Sequence, residues 1–83
     1  MKFDPDKDAR NIEKHGLSLA RADELEIEAF REDDRHDYGE RRFRAFGVLD
    51  GRAHCLVFTL RDGEVRAISL RRAHDKEYGR YVR

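Results

Sequence analysis

Nine side chains of this 83-residue chain have the types needed to break a phosphodiester: Lys14, His15, Arg42, Thr59, Arg61, Arg66, Ser69, Arg71 and Arg72. RNA is cleaved without a metal when its own 2′-hydroxyl attacks the neighbouring phosphate. That reaction needs a base for the hydroxyl proton, an acid for the leaving 5′-oxygen and cations for the extra negative charge of the transition state. A histidine titrates in the right range. Arginines on neighbouring strands can hold the phosphate in a fixed geometry. Each residue also has a plainer explanation. His15 can satisfy carbonyls at a helix end, Thr59 and Ser69 are ordinary strand residues, and each Arg can pair with Glu64, Glu77 or the acidic first half of the chain.

Other chemistries find less support. His15, His36, His54 and His74 are spread along the chain without a second-ligand spacing such as H-x-x-x-H, so neither a metal nor another cofactor is expected. No glycine-rich loop leads into a helix bearing a Lys. Cys55, the one cysteine, sits in an apolar run and reads as a small packed hydrophobe, not as a thiolate nucleophile. A single cysteine also excludes an internal disulfide framework.

The elements that must position these residues centre on Arg42 to Ala73, which reads as a three-stranded antiparallel meander. Arg42 to Asp50 is the first strand, Gly51-Arg52 a turn, Ala53 to Arg61 the second strand, and Asp62-Gly63 a strong two-residue hairpin signal before Glu64 to Arg71. Strict alternation in the third strand puts Val65, Ala67, Ser69 and Arg71 on one face and Arg66, Ile68 and Leu70 on the other. Ahead of the meander, Asp4-Pro5 announces a helix running to about His15, with Gly16 as its left-handed cap and a thin apolar face of Ala9 and Ile12. Ser18 caps a second short helix through Leu25, Ile27 to Glu32 reads as a short edge strand, and Asp33 to Glu40 as a loop. A terminal helix follows, with His74, Tyr78 and Tyr81 at i, i+4 and i+7, packed across one end of the sheet. The expected fold is therefore α+β, a single domain over 1–83: N-terminal helices on an antiparallel sheet, closed by a C-terminal helix.

A chain this short buries only about 60% of its unfolded surface, so its core is small and a dimer or partner adds stability. Residues 1–40 hold 7 Lys and Arg against 13 Asp and Glu, and residues 41–83 hold 11 against 5. The net charge of zero thus hides a dipole of −6 and +6. An Arg-rich sheet suits phosphate, and the acidic half must face away from it or toward a basic partner. With no apolar run at the start and no stretch near the roughly 18 apolar residues of a membrane span, a cytoplasmic protein is expected.

Taken together, several segments resemble the BrnT family of type II toxins: Phe3-Asp4-Pro5-Asp6-Lys7, Asn11, Lys14-His15-Gly16-Leu17-Ser18, Arg42 through Phe46-Gly47, Val57-Phe58-Thr59, and Val65 through Ala73 with Glu77. The Lys-His-Gly corner combined with the Arg-x-Ile-Ser-x-Arg strand is the specific part. The chain departs from the family pattern at apolar positions only: Phe3 for Trp, Leu19 for an aromatic, and Ala67 and Leu70 with sizes exchanged. The resemblance implies a RelE-like fold and an RNA endonuclease that arrests growth. It also implies a BrnA-type antitoxin whose ribbon-helix-helix domain binds promoter DNA, in a possible homodimer or a heterotetramer with the antitoxin. Carried over by position, it makes Arg66 and Arg71 phosphate stabilisers, His15 or Glu77 proton carriers, and Lys14, Arg42, Thr59 and Ser69 RNA contacts, with Thr59 and Ser69 orienting the substrate; Arg61 and Arg72 join the RNA contacts on their chemistry. Strand alternation sets Arg66 against Arg71 unless a bulge intervenes, which favours Arg71. The competing readings are a non-catalytic RelE-like module that binds an antitoxin and tunes its operator binding, and a dimeric structural protein.

Overall fold

A computed structural model describes residues 1–82. Its elements run β1 (Lys2–Phe3), α1 (Pro5–His15), a 3₁₀ helix (Leu19–Glu24), β2 (Glu26–Asp33), β3 (Arg42–Leu49), β4 (Arg52–Arg61), β5 (Glu64–Arg72) and α2 (Asp75–Tyr81). The strands form one sheet in the order β1-β5-β4-β3-β2. The α+β expectation holds, with one change. The meander gains a parallel neighbour, because β1 pairs with Arg66 and Ala67 of β5, so the sheet is mixed.

The turns follow from residue chemistry. Asp50-Gly51 and Asp62-Gly63 both take positive φ at each central position, which matches the right-handed twist of the flanking strands. The first turn therefore lies one residue earlier than the expected Gly51-Arg52. Asp4 caps α1 by accepting from the Asp6 amide at 2.8 Å, and Gly16 closes it at φ 71°. The second N-terminal helix has the expected Ser18 cap but the tighter 3₁₀ winding.

Cross-strand register assigns the two faces. On one face Ala45, Leu49, Leu56, Ala67 and Leu70 meet Leu19, Ala22 and Leu25 of the 3₁₀ segment, flanked by Phe3, Leu17 and Phe58. On the other, Phe46, Cys55 and Ala73 form a smaller cluster under α2, where Tyr81 stacks on Phe46 with centroids 4.7 Å apart. Helix α1 does not dock through Ala9 and Ile12; both face solvent, Ile12 being 48% exposed. The buried contact is polar. Asn11 donates to the carbonyls of Leu17 and Leu70 at 2.8 and 2.9 Å, and its Oδ1 accepts from the Leu70 amide at 3.0 Å. One side chain thus supplies the hydrogen bonds that another strand would give to this edge of β5.

Two bulges redirect the strands. Ile27 pairs with Gly47 and Ala29 with Phe46, so Glu28 is the extra residue that brings Ile27 and Phe30 to the same face. Gly47 is required there, since a Cβ at that position would collide with the Glu26 carbonyl. In β5, Val57 pairs with Ser69 while Phe58 pairs with Ala67, leaving Ile68 as the extra residue. Alternation consequently resets: Ala67 and Leu70 both face the core, and Arg66, Ser69 and Arg71 share the opposite face. Strict period-two reasoning failed in β5 for this one residue.

Candidate functional site

The bulge at Ile68 makes the site, because it aligns β5's polar residues with those of β3 and β4. Register sets Arg42, Thr59 and Arg66 side by side across three strands, then Arg44, Val57 and Ser69, then Phe46, Cys55 and Arg71. Helix α2 covers the last of these rows. Tyr81 of α2 also reaches Arg44 in the middle row, and α1 runs along the β5 edge with Lys7, Lys14 and His15 beside Ile68 and Ser69.

Three concavities result, joined end to end along the seam between α1 and β5. A cleft of about 670 Å³ is lined by Lys14, His15, Arg71, Arg72, His74 and Glu77. A shallower groove of about 230 Å³ continues from Lys14 and His15 past Ser69 to Lys7. A small pocket of about 90 Å³ then lies among Lys7, Arg42, Thr59, Arg61 and Arg66, with Asp4 and Glu40 in its wall. Lys7 and Ile68 belong to both of the last two, and Lys14 and His15 to both of the first two. The track is strongly basic.

In the large cleft the Arg71 guanidinium lies against Glu77, with two parallel bonds of 2.9 Å each. It also donates to the Arg72 carbonyl at 3.1 Å. Both side chains are partly buried, at 28% and 22% exposure. The bond from Arg71 holds the Glu77 carboxyl below the usual carboxylate range, so at neutral pH Glu77 is an anion that orients Arg71 and carries no proton to give. His15 has its pKa lowered from the ordinary 6.5, first by burial and then by the charges of Lys14 and Arg71. Burial and the two cations disfavour the imidazolium, so at neutral pH His15 is in the form that can accept a proton. His74, the residue preceding α2, lines the same cleft.

The small pocket is organised differently. Glu40 is paired with Arg61 at 2.8 Å, and Asp4 is occupied as the cap of α1. Arg42 has its guanidinium 4.3 Å from the centre of the Tyr38 ring. The Nε atoms of Arg42, Arg44 and Arg66 are buried without a hydrogen-bond partner. Thr59 is 2% exposed and donates its hydroxyl to the Arg41 carbonyl at 2.6 Å. That bond fixes the start of β3, and hence Arg42.

The fold therefore brings Lys14, His15, Arg71, Arg72 and Glu77 into one cleft, and Arg42, Thr59, Arg61 and Arg66 into a separate pocket, with Ser69 between them. Arg66 and Arg71 share a face but line no common cavity. Sequence reasoning missed Lys7, His74 and Arg44. Arg44 is 8% exposed and reaches the Tyr81 hydroxyl at 3.3 Å. Its position two residues after Arg42 was the available signal, since a strand puts both on one face. Cys55 is fully buried, and burial pushes its thiol up, which removes it as a nucleophile. No helix among the described residues is long and apolar enough to cross a membrane.

Comparison with curated proteins and with solved structures finds no match. A family model described as the ribonuclease toxin, BrnT, of a type II toxin-antitoxin system matches residues 3–77. That span runs from Phe3 to Glu77, and so takes in every residue of the basic track named above. The chain belongs to the BrnT family of type II toxin-antitoxin ribonuclease toxins.

Proposed function

We propose that this protein is an endoribonuclease that cuts RNA without a metal ion, through attack of the 2′-hydroxyl on the adjacent phosphate. The observation that carries the reading is the cleft in which a neutral His15 adjoins an Arg71 held by a two-pronged bond to Glu77. His15 takes the 2′-hydroxyl proton as the new 2′-oxygen to phosphorus bond forms. Arg71, with Lys14 and Arg72 nearby, stabilises the charge on the phosphorane oxygens. His74 gives a proton to the 5′-oxygen as the phosphorus to 5′-oxygen bond breaks, leaving a 2′,3′-cyclic phosphate and a 5′-hydroxyl. Ser69 and the cations of the basic track hold the strand.

The partner in this reading is a BrnA-type ribbon-helix-helix antitoxin, assembled as a heterotetramer, with promoter DNA bound only through the antitoxin. The acidic 23–34 stretch supports a place for it. There β2 is an edge strand, its outer side unpaired in the sheet, and Ile27 and Phe30 are 49% and 65% exposed among carboxylates. Neutralising Asp23, Glu26, Glu28 and Asp34 together is expected to weaken antitoxin binding at least tenfold, and unchanged binding removes that surface from the proposal.

A non-catalytic module is the second reading, favoured by one observation: the Arg71 fork is already occupied by Glu77. Inducible expression in bacteria separates the two. Growth arrest with RNA loss for the natural chain, and neither for Arg71→Ala, supports cleavage. Unchanged growth and RNA with soluble natural protein supports the module.

A further inference from the structure

The small pocket between β3, β4 and β5 has chemistry that the cleavage cleft does not need. Its two central guanidiniums, Arg42 and Arg66, have buried Nε atoms that no described residue satisfies. A charged donor left unpaired favours any anion that reaches its guanidinium. The pocket's own carboxylates are committed elsewhere, Glu40 to Arg61 and Asp4 to the α1 cap. At about 90 Å³ it has room for one compact anion and not for a base. Tyr38 and the Thr59–Arg41 bond hold Arg42 in place before anything binds.

We infer that this pocket is a second phosphate site, which grips a non-reacting phosphate of single-stranded RNA while Arg71 meets the one being cut. The inference rests on the ribonuclease reading for its second half only. Arg66 and Arg71 are five positions apart on β5 with one residue bulged out, which leaves four ladder steps, a separation of roughly 13 Å at ~3.3 Å per residue. That is roughly two to four nucleotides, depending on how far the strand is stretched beyond its stacked rise of ~3.4 Å. The shared groove with Lys7 and Ser69 is the path between. Arg66 is accordingly a grip on substrate and takes no part in the chemical step, and the minimal good substrate is longer than a dinucleotide.

The test uses end-labelled oligoribonucleotides whose 2′-oxygens are methylated, which cannot be cut, in a dinucleotide and an octanucleotide length. The quantity read is the affinity gained on lengthening, with melting temperature recorded for each variant. For the natural chain the octanucleotide is expected to bind far more tightly. Arg66→Gln and Arg42→Gln are each expected to lower that gain about tenfold and to reduce the salt slope of log affinity by about 1. Arg66→Lys, which keeps the charge and loses the fork, is expected to recover part of it. Octanucleotide affinities within twofold of the natural chain in both Gln variants, at unchanged melting temperature, overturn the site. So does a single-turnover cleavage rate, on saturating cleavable octanucleotide, that falls as far in Arg66→Gln as in Arg71→Gln. Arg66-dependent binding in a protein that cuts nothing keeps the phosphate site and defeats the ribonuclease reading.

Discussion

Arg71 and Arg66 lie on one face of one strand, yet they meet opposite surroundings. Arg71 is matched by Glu77 through a two-pronged bond, whereas the Arg66 Nε is buried with no partner. The difference teaches what each is built for. An arginine already oriented by a carboxylate is fixed in direction, and it reaches a phosphate with nitrogens chosen in advance, which suits a transition state. An arginine with an unsatisfied donor is stabilised by whatever anion arrives, which suits binding. The histidine next to Arg71 fits the same division, since no imidazole lines the Arg66 pocket.

The largest expected effect breaks the first side of that contrast. Arg71→Ala is predicted to lower kcat by about 10²- to 10³-fold with little change in RNA affinity; a variant that loses affinity in the same proportion makes Arg71 an ordinary grip. His15→Ala is predicted to lower kcat about 10²-fold or more and to abolish the acidic limb of the pH profile. The sign follows from the depressed pKa of the RNA-free protein: as a base His15 must be neutral, so the natural chain's kcat/KM rises with pH through an apparent value below 6.5. The same shift makes the native state less willing than the unfolded chain to bind that proton. His15 therefore costs stability as pH falls below about 6.5, and its replacement flattens the melting temperature across that range. An acidic limb above 6.5 removes His15 as the base.

Asn11 sharpens the comparison from the structural side, because it ties α1 to β5 in the groove that joins the two cavities. Asn11→Ala orphans the Leu70 amide and carbonyl, and is predicted to cost about 2–3 kcal/mol, a fall of roughly 10–20 °C in melting temperature. A loss below 1 kcal/mol means water replaces the amide. The smallest expected effect is Glu77→Gln. Losing one member of this partly buried pair is predicted to cost about 1 kcal/mol. It should lower kcat by less than Arg71→Ala does, and leave the length preference for RNA untouched.

The residues foretold much of this arrangement and hid a specific part. Turn chemistry at Asp62-Gly63, the Asp4 and Ser18 caps and the β-forming runs were legible because each is a local signal. The Ile68 bulge was not, because it depends on how Ala67 and Leu70 fit beneath the helices, a tertiary fact with no local mark in the strand. Missing it split Arg66 from Arg71. The docking of α1 was also misjudged: apolar Ile12 faces out and Asn11 faces in, because the edge of β5 needs hydrogen bonds more than it needs apolar cover. His74 escaped notice because it is close to His15 only after the sheet is built.

The most direct measurement of the central claim is the chemistry of the cut ends, read on a defined RNA treated with purified protein in excess chelator. The account predicts 2′,3′-cyclic phosphate and 5′-hydroxyl ends, formed by the natural chain and lost in Arg71→Ala. Ends carrying a 5′-phosphate, cleavage abolished by the chelator, or RNA left intact by folded protein would contradict it.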